Sequence, residues 1–367
     1  MNPAPPVLIM AGGTGGHVFP ALATADCLRQ RGIPVIWMGT RTGLEATLVP
    51  KAGIPLEWIE VAGLRGKGWR RRLLTPFMLT RSLWQARAIL RRVRPCVILG
   101  MGGFVSGPGG IMARLLGIPL VIHEQNAIAG LTNRWLARIA NRTLQAFPNT
   151  FPARRSAVTV GNPVRQVIAA LPPPAERFAG RQGRTRLLVL GGSLGALALN
   201  QLVPQALALL DAVEQPEVWH QAGGQLQDAA VQAYQQAGIT VRLTPFIENM
   251  AEAYGWADVV LCRAGALTIA ELAAAGVGAV LVPFPFAVDD HQTANARFLE
   301  QGGAARLVQQ SDLSAERLAA LLRDLLPDRA RLLQMAEAAR RLATVDAAEQ
   351  VARVCLEQAR SGSESGS

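Results

Sequence analysis

Lysine is nearly absent from this 367-residue chain: among its 37 basic residues only Lys51 and Lys67 are lysines. Chemistry that needs a lysine, such as a Schiff base or a nucleotide-binding P-loop, therefore has almost no candidates. The 4 cysteines lie far apart, without a C-x-x-C pair, which argues against a disulfide scaffold and structural zinc and fits a reducing compartment. Aromatic residues make up 5% of the chain and no RNA-binding module is visible, so nucleic acid is the least favoured partner.

Long apolar runs are also missing. The longest uncharged apolar stretch, residues 272–288, is interrupted by two glycines and two prolines, and a membrane-spanning helix needs roughly 20 apolar residues. The N-terminus has no basic region before its short apolar run, so we predict no signal peptide. Half of the residues are hydrophobic, which excludes a disordered or fibrous protein, and the length favours two domains.

Acidic residues are scarce in the first half of the chain. Residues 1–163 hold 20 basic and 5 acidic side chains, residues 164–367 hold 17 basic and 21 acidic ones, and the formal net charge is +11. Glu124 is the only acid between Glu60 and Glu176. This asymmetry predicts that the first half faces an anionic partner.

Short Val/Ile/Leu runs alternate with glycine-rich turns and amphipathic stretches, which is typical of parallel sheets covered by helices on both faces. The pattern begins at residue 7 and again at residue 187, with a Pro/Arg/Gly-rich stretch between. We predict an α/β fold with two Rossmann-like domains whose parallel sheets face each other across a cleft. The expected parts are an N-terminal domain over 1–163, a C-terminal domain over 164–340, a helix over 341–360 and a disordered tail over 361–367.

Each half contains a glycine-rich strand-to-helix turn, GGTGGH at 12–17 and GGSLGA at 191–196. Such a turn exposes backbone N–H groups at a helix N-terminus and suits a phosphate or a developing oxyanion. The glycines of the first turn are not spaced as G-x-G-x-x-G, and Glu45 is poorly placed to be the acidic residue that binds the ribose in such sites. Both observations disfavour a dinucleotide dehydrogenase. The sequence also lacks a D-x-D pair, so we expect no required metal or other cofactor.

Several polar residues follow predicted strands, where open α/β sheets bind ligands. His17 ends the first glycine turn, where a positive helix N-terminus favours the neutral imidazole that a general base needs, although a capping or solvated histidine is the alternative. The apolar run at 120–122 is followed by the polar residues Glu124, Asn126 and Asn133. They are candidate ligand-binding residues, with the two asparagines as hydroxyl or amide binders; a solvated turn is the alternative. Glu271 lies on a helix face of small residues and suits a ribose diol.

Residues 69–78 combine apolar and basic side chains, an arrangement typical of an interfacial membrane patch. A core loop or an RNA-binding surface would also fit. The predicted membrane patch consists of Trp69, Arg70, Arg71, Arg72, Leu73, Leu74, Phe77 and Met78.

Seven motifs are spread over nearly the whole chain: GGTGGH at 12–17, GMGGFVSGPGG at 100–110, HEQNAIAGLTN at 123–133, GNPVR at 161–165, GGSLGALALN at 191–200, PFIENM at 245–250 and CRAGALTIAE at 262–271. Together they resemble the MurG family of UDP-N-acetylglucosamine transferases, and the resemblance covers nearly the whole chain. The resemblance implies a GT-B fold and an inverting transfer of N-acetylglucosamine (GlcNAc) from UDP-GlcNAc. The implied acceptor is the 4-hydroxyl of lipid I, undecaprenyl-pyrophosphoryl-MurNAc-pentapeptide, and the product is lipid II for peptidoglycan. It further implies a peripheral enzyme on the cytoplasmic face of the bacterial inner membrane, in contact with anionic lipid.

The resemblance also implies roles for individual residues. His17 is the implied base, Glu271 holds the ribose, and backbone at Phe246 and Ile247 reads the uracil. The implied nucleotide-sugar residues are Thr14, Gly15, Asn126, Arg165, Ser193, Asn200, Phe246, Ile247, Arg263, Ala266, Leu267, Thr268, Glu271 and Gln292. The implied acceptor-binding residues are Thr14, Gly15, Phe104, Glu124 and Asn133. The last helix is expected to pack back on the first domain.

Four positions depart from the usual family pattern. Phe104 stands where tyrosine is common, Leu194 replaces a common glutamine, Ala264 a common serine and His291 a usual glutamine. None of them removes a residue assigned to the chemistry. The alternatives left open by the sequence are a UDP-GlcNAc epimerase-like enzyme and a non-catalytic binder of anionic membranes.

Overall fold

The computed structural model describes residues 4–61, 69–192 and 195–364, with side chains left out at 69–76 and 362–364. The described chain forms two compact units. The first runs to Arg165 and resumes at Thr344, and the second is Gln166–Ala343. The division thus falls two residues after the expected junction at 163.

The first unit is built on a parallel sheet. Its strands are β1 (Val7–Met10), β2 (Val35–Gly39), β3 (Leu56–Trp58), β4 (Val97–Gly100), β5 (Leu120–Glu124), β6 (Arg142–Gln145) and β7 (Val158–Thr159). The strand order is β3-β2-β1-β4-β5-β6-β7. The helices between the strands are α1 (Gly15–Gln30), α2 (Glu45–Lys51), α3 (Trp69–Val93), α4 (Ser106–Leu115) and α5 (Leu131–Leu136).

Strand β1 is buried along its whole length because helices cover both faces of this sheet. Successive side chains of a strand point to opposite faces. Val7 and Ile9 accordingly belong to one hydrophobic cluster, and Leu8 and Met10 belong to another, which includes Leu90 of α3. The continuous apolar run in the sequence therefore reflects two cores rather than one.

The second unit has its own parallel sheet, in the order β10-β9-β8-β11-β12-β13. Its strands are β8 (Arg186–Leu190), β9 (Glu217–Gln221), β10 (Arg242–Thr244), β11 (Val259–Cys262), β12 (Gly278–Leu281) and β13 (Ala305–Leu307). Its helices are α6 (Gln166–Ala169), α7 (Pro174–Phe178), α8 (Leu197–Ala208), α9 (Gln227–Ala237), α10 (Met250–Trp256), α11 (Ala266–Ala275), α12 (His291–Gln301), α13 (Ala315–Leu325) and α14 (Arg329–Arg341). Leu187 and Val189 of β8 pack with Leu199 of α8 and Leu322 of α13 in the core.

Helix α15 (Ala347–Glu364) returns to the first unit. Its buried residues Val351, Ala352 and Cys355 join the cluster of Val7 and Ile9. The helix ends later than the expected start of a disordered tail at residue 361. The Ser361 hydroxyl donates to the Glu357 carbonyl at 3.1 Å, a local bond that serine readily forms within a helix.

Both sheets reverse their strand order beside the first strand of the unit, between β1 and β4 and between β8 and β11. Open α/β sheets bind ligands at such a switch point, outside the carboxyl ends of the strands. The turns after β1, β4 and β5 therefore form one candidate site region, and the turns after β8 and β11 form another.

Candidate active site

The first glycine turn joins β1 to α1. Gly13 has φ +94°, a conformation that glycine adopts without strain, and Thr14 is the N-cap residue without a side-chain capping bond. Thr14 is exposed and Gly15 half-buried. The N-terminus of α1 therefore presents backbone N–H groups beside His17, in its first turn.

Glu45 ties this turn to the end of β2, a role that the sequence reasoning missed. Its carboxylate is fully buried and accepts hydrogen bonds from Gly13 N at 2.9 Å, Thr40 N at 2.9 Å and Thr40 Oγ1 at 2.8 Å. A Cβ on Gly43 would lie 2.0 Å from its Oε2. Glycines before a lone acid at the start of the helix that follows β2 were the available sequence signal.

The imidazole of His17 lies between an exposed residue and a buried one. Its Nδ1 is 3.3 Å from the Oγ1 of the exposed Thr14. A Cβ on the buried Gly102 would lie 3.0 Å from its Nε2. The structure therefore brings together the turns after β1 and β4, as the sheet order requires.

Glu124 organises the loop after β5 rather than facing solvent. It is 3% exposed, and its Oε1 accepts from Asn126 N at 3.0 Å and Asn126 Nδ2 at 3.2 Å. Its Oε2 accepts from Gly130 N and Asn133 Nδ2, both at 3.0 Å. Both carboxylate oxygens of Glu124 are therefore engaged within the loop. Glu124 positions the predicted binders Asn126 and Asn133, and this geometry does not favour the predicted direct contact of Glu124 with an acceptor substrate.

Phe104 and Arg165 lie in the first unit as well. The Phe104 ring, in the turn after β4, is 51% exposed. The Arg165 guanidinium stacks over the ring of Phe19 in α1, 5.4 Å from its centroid. Both are therefore close in sequence or space to the turns that surround His17.

The second glycine turn joins β8 to α8. Ser193 and Leu194 lie outside the described residues. Gly195 has φ +77°, and a Cβ there would lie 2.2 Å from the Ala222 carbonyl oxygen, so only glycine fits. Asn200 is fully buried and donates from Nδ2 to the same carbonyl at 3.0 Å, which makes it a support of the turn rather than an exposed ligand group.

Helix α11 carries the predicted ribose acid on an inner face. Glu271 is 5% exposed, and the hydroxyl of the fully buried Tyr254 donates to its Oε2 at 3.1 Å. At the start of the same helix, Ala266 is buried while Leu267 and Thr268 are half-buried. Tyr254 is a further residue that the sequence reasoning missed, because its partner is 17 residues away in a different helix.

Arg263 and Gln292 are both engaged by the protein itself. Arg263 donates to the carbonyl oxygens of Val282 and Pro283, each at 3.2 Å, and to Gln310 Oε1 at 2.6 Å. Gln292 Oε1 accepts from Ala264 N at 3.2 Å and Phe284 N at 2.9 Å. These contacts hold together the segments that follow β11 and β12, and they occupy much of the hydrogen-bonding capacity that a diphosphate or sugar would use.

The two residues predicted to read the uracil, in the segment after β10, differ in exposure. Phe246 is 51% exposed, whereas Ile247 is 4% exposed. His291 is also used internally, since its Nδ1 lies 2.7 Å from the Val288 carbonyl oxygen.

The predicted membrane patch lies on α3. The side chains of Trp69, Arg70, Arg71, Arg72, Leu73 and Leu74 are outside the described part of the chain. Phe77 is 69% exposed and Met78 half-buried. Further along α3, Trp84 is 64% exposed, with the Arg87 guanidinium 5.5 Å from its ring centroid.

Neither a metal-binding cluster nor a membrane-spanning helix is found among the described residues. Across 4–61, 69–192 and 195–364, no three His, Cys, Asp or Glu side chains are grouped so as to hold a metal ion. Over the same ranges, none of the helices combines the length and the apolar character needed to cross a membrane.

Two domain families match consecutive parts of the chain. The glycosyltransferase family 28 N-terminal domain matches residues 7–145, and the glycosyltransferase family 28 C-terminal domain matches residues 186–351. Each match falls on one of the two sheets described above.

Curated relatives match over nearly their whole length. The UDP-N-acetylglucosamine–N-acetylmuramyl-(pentapeptide) pyrophosphoryl-undecaprenol N-acetylglucosamine transferase of Alkalilimnicola ehrlichii is 60% identical over 97% of this chain and 99% of its own. The protein of the same name from Nitrosococcus oceani is 59% identical over 96% of this chain and 98% of its own.

Solved structures of glycosyltransferases are also similar to this chain. The crystal structure of Acinetobacter baumannii MurG matches with a TM-score of 0.83 and 43% identity, covering 96% of this chain and 99% of that one. The calicheamicin glycosyltransferase CalG4 matches with a TM-score of 0.66 at 18% identity over 95% and 98% of the two chains, which indicates a shared fold only.

Proposed function

The chain belongs to glycosyltransferase family 28, and we propose that it transfers GlcNAc from UDP-GlcNAc to the undecaprenol-linked pyrophosphoryl-MurNAc-pentapeptide, forming lipid II for peptidoglycan. The observation that carries this function is the match to relatives named for that transfer, at 60% identity over 97% of the chain. The GT-B architecture of two parallel-sheet units, each with a glycine turn at its switch point, supports the same reaction. An epimerase or a non-catalytic membrane binder is not favoured by these relatives.

The second unit is the proposed donor site. Glu271, oriented by Tyr254, accepts the two ribose hydroxyls, since a buried carboxylate offers two acceptor oxygens at a fixed angle. Backbone groups at Phe246 and Ile247 read the uracil. The diphosphate meets the N–H groups of the second glycine turn, which includes Ser193, and of α11 at Ala266, Leu267 and Thr268.

Three proposed donor contacts are modified by the geometry. Asn200 supports the glycine turn from a buried position. Arg263 and Gln292 keep their internal hydrogen bonds. We therefore propose that they act by holding the segments after β11 and β12 in place for the donor. Asn126 and Arg165 belong to the first unit and remain predicted contacts to the sugar nucleotide.

The first unit is the proposed acceptor site. Thr14, Gly15 and Phe104 are the proposed contacts to the muramyl sugar and its pyrophosphate. Asn133, predicted as a further contact, is 2% exposed and donates to the His123 carbonyl oxygen and to Glu124, so we assign it to holding the loop after β5. The phosphates interact with the N–H groups at the start of α1, where the helix dipole is positive.

His17 is the proposed general base. It removes the proton of the muramyl 4-hydroxyl while that oxygen forms a bond to the anomeric carbon of GlcNAc. The bond from the anomeric carbon to the phosphate oxygen breaks, UDP leaves with the electron pair, and the configuration inverts. Backbone N–H groups stabilise the leaving diphosphate, and we propose that neither a metal nor another cofactor is required.

The basic first unit is the proposed membrane-facing unit. Phe77 and Trp84 are exposed on α3, and the sequence of this helix carries arginines at residues 70–72, 81 and 87. Exposed apolar groups on a basic helix suit an anionic bilayer surface. We propose that the enzyme acts as a peripheral protein at the cytoplasmic face of the inner membrane, where its lipid-linked acceptor is held. Nucleic acid has no role in this proposal.

One assay tests the function directly. The purified chain is incubated with labelled UDP-GlcNAc and a lipid I analogue, with and without EDTA. We expect equal amounts of UDP and a disaccharide-lipid in both conditions. Formation of UDP-ManNAc would identify an epimerase, and absence of turnover together with tight vesicle binding would identify a membrane binder.

A further inference from the structure

The side-chain amide of Gln125 is buried directly after β5 with a fixed orientation. Gln125 is 1% exposed, and its Nε2 donates to the His123 carbonyl oxygen at 3.2 Å and contacts His123 Nδ1 at 3.1 Å. A carbonyl oxygen only accepts hydrogen bonds, so the NH₂ end of the amide must lie here. Its oxygen therefore points the other way.

His123 completes this arrangement as a neutral ring. Because Nδ1 accepts from Gln125, the ring proton lies on Nε2, which donates to the Gly161 carbonyl oxygen at 2.9 Å. Burial lowers the pKa of His123 to about 4, so the ring stays neutral near physiological pH. The chain from Gly161 through His123 to Gln125 thus has one consistent assignment of donors and acceptors.

The Oε1 of Gln125 is buried and has no hydrogen-bond partner among the described residues. It lies against Gly102, where a Cβ would be 3.4 Å from this oxygen, 3.0 Å from His17 Nε2 and 2.7 Å from His17 Cδ2. The acceptor oxygen and the inner edge of the imidazole therefore meet at one glycine. Because both atoms lie within 3.4 Å of the same Cβ position, a side-chain rotation or one bridging water can join them.

The two nitrogens of His17 face different surroundings. Nδ1 lies beside the exposed Thr14, on the side open to a substrate, whereas Nε2 lies toward the buried Gly102. A base needs its lone pair on the open side, so the ring proton must lie on the inner nitrogen. An acceptor that receives this proton selects that tautomer, as the third group of a nucleophile–base–orienter arrangement does.

We propose that Gln125 is a positioning residue for His17: its Oε1 accepts the Nε2–H of the imidazole, directly or through one water, and keeps Nδ1 as the base. The inference rests on the proposed role of His17 as base. A hydrogen bond to the inner N–H also stabilises the imidazolium that forms when the acceptor proton is taken.

The unmodified protein offers the first test. Nitrogen-15 NMR of the histidine rings distinguishes the two neutral tautomers, and a His17→Ala spectrum assigns the His17 signals among the 4 histidines. We expect His17 to carry its proton on Nε2. A proton on Nδ1 would overturn the proposal, and this result does not depend on how well any Gln125 variant folds.

Kinetics give the second test. Gln125→Met keeps the length of the side chain and removes the acceptor, so we expect kcat to fall about 10- to 100-fold, with the KM for UDP-GlcNAc unchanged. In the background of His17→Ala the same change should have no further effect, because Gln125 acts through His17. Gln30→Met, at an exposed position at the end of α1, is the matched control.

The outcomes separate this inference from the proposed function. If His17→Ala lowers kcat less than about tenfold while transfer is still observed, the base assignment and the inference fail together. If His17→Ala nearly abolishes transfer but Gln125→Met leaves kcat unchanged, or if the two losses multiply in the double variant, only the role of Gln125 fails.

Discussion

At the scale of single residues, buried polar groups define the candidate site more than exposed ones do. Glu45, Glu124 and Glu271 are each at most 5% exposed and are hydrogen-bonded within their unit. Burying a carboxylate is costly unless donors surround it. The donors to Glu45 and Glu124 come from the turns that the proposed chemistry needs, so these two acids fix the backbone of the site, whereas Glu271 is oriented by a side chain of α10.

Removing the Tyr254 hydroxyl tests the orientation of Glu271. Tyr254→Phe should raise the KM for UDP-GlcNAc about three- to tenfold and leave kcat nearly unchanged, since a hydrogen bond to a charged group that aligns a binding residue is lost. Initial-rate kinetics measure both constants. The other tyrosine, Tyr234, bonds His220 instead at 2.8 Å, so Tyr234→Phe should not change this KM. Equal effects of the two variants would contradict the assignment.

Two buried histidines predict a loss of stability in acid. Burial lowers the pKa of His123 to about 4 and that of His220 to about 3, whereas an unfolded histidine titrates near 6.5. Below that pH the unfolded chain binds protons that the folded chain does not, so the stability from each neutral ring is complete above about pH 6.5 and declines toward the folded pKa.

The expected decline is roughly 1.4 kcal/mol per pH unit for each of the two histidines, between about pH 6 and pH 4. Urea unfolding at a series of pH values measures it. An unfolding free energy that stays constant from pH 6.5 to pH 5 would show that these rings are not held neutral in the folded protein.

At the scale of elements, the long buried strands could be predicted from the sequence and the short edge strands could not. β1, β4, β5, β8, β11 and β12 each contain a run of Val, Ile or Leu residues, the pattern from which parallel strands were predicted. β3 and β7 have 3 and 2 residues, too few for a periodic pattern. Such strands form because a neighbouring strand supplies their hydrogen bonds.

Likewise, only part of the candidate site could be predicted from the sequence. Glycine turns and polar residues at strand ends are local patterns, so His17, Asn133 and Glu271 were identified as candidates. Glu45 was considered only as a poorly placed acid for binding ribose. Its structural role was missed because its partners Gly13 and Thr40 lie on different turns, which the packing of β1 beside β2 brings together. Tyr254 was missed, and Gln125 was given no role of its own, for the same reason.

The connection made by Glu45 between two turns can be tested by a single amide substitution. In Glu45→Gln one oxygen becomes an NH₂ group, which faces either the Gly13 N–H or the Thr40 donors. The unpaired buried donors should lower the free energy of unfolding by about 1–3 kcal/mol. The displaced turn should lower kcat while leaving UDP binding unchanged.

Calorimetry for UDP binding and denaturant unfolding measure these effects. Glu357→Gln is the matched control: Glu357 is 61% exposed and forms an ion pair with Arg353, a class of pair that contributes little. A Glu45→Gln protein with unaltered kcat would show that this acid does not support the site.

At the scale of the whole molecule, charge separates the two halves of the chain. The excess of basic over acidic residues lies in 1–163, and this stretch belongs to the proposed acceptor unit. A basic surface concentrates anionic lipid and an anionic lipid-linked substrate near the site. We therefore propose that the net charge of +11 serves contact with an anionic membrane rather than with nucleic acid.

Reversing the charge of residues 70–72 tests this assignment. Arg70→Glu, Arg71→Glu and Arg72→Glu together should weaken binding to phosphatidylglycerol vesicles by at least about tenfold, because each basic residue near an anionic surface contributes roughly 1 kcal/mol. Wild-type binding should also weaken as salt is raised. The same triple reversal at Arg317, Arg323 and Arg331 of the second unit should have little effect. Binding unchanged by both salt and the first triple variant would contradict a charge-based contact.

The proposed reaction is a single displacement in which the acceptor oxygen, deprotonated by His17, attacks the anomeric carbon of UDP-GlcNAc. The most direct measurement is the anomeric configuration of the disaccharide-lipid product, from the proton coupling between C1 and C2 of its GlcNAc. UDP-GlcNAc is an α-glycoside, so one inverting displacement predicts a β linkage to the muramyl 4-oxygen. An α linkage would require a second displacement or a different attack, and would contradict the account.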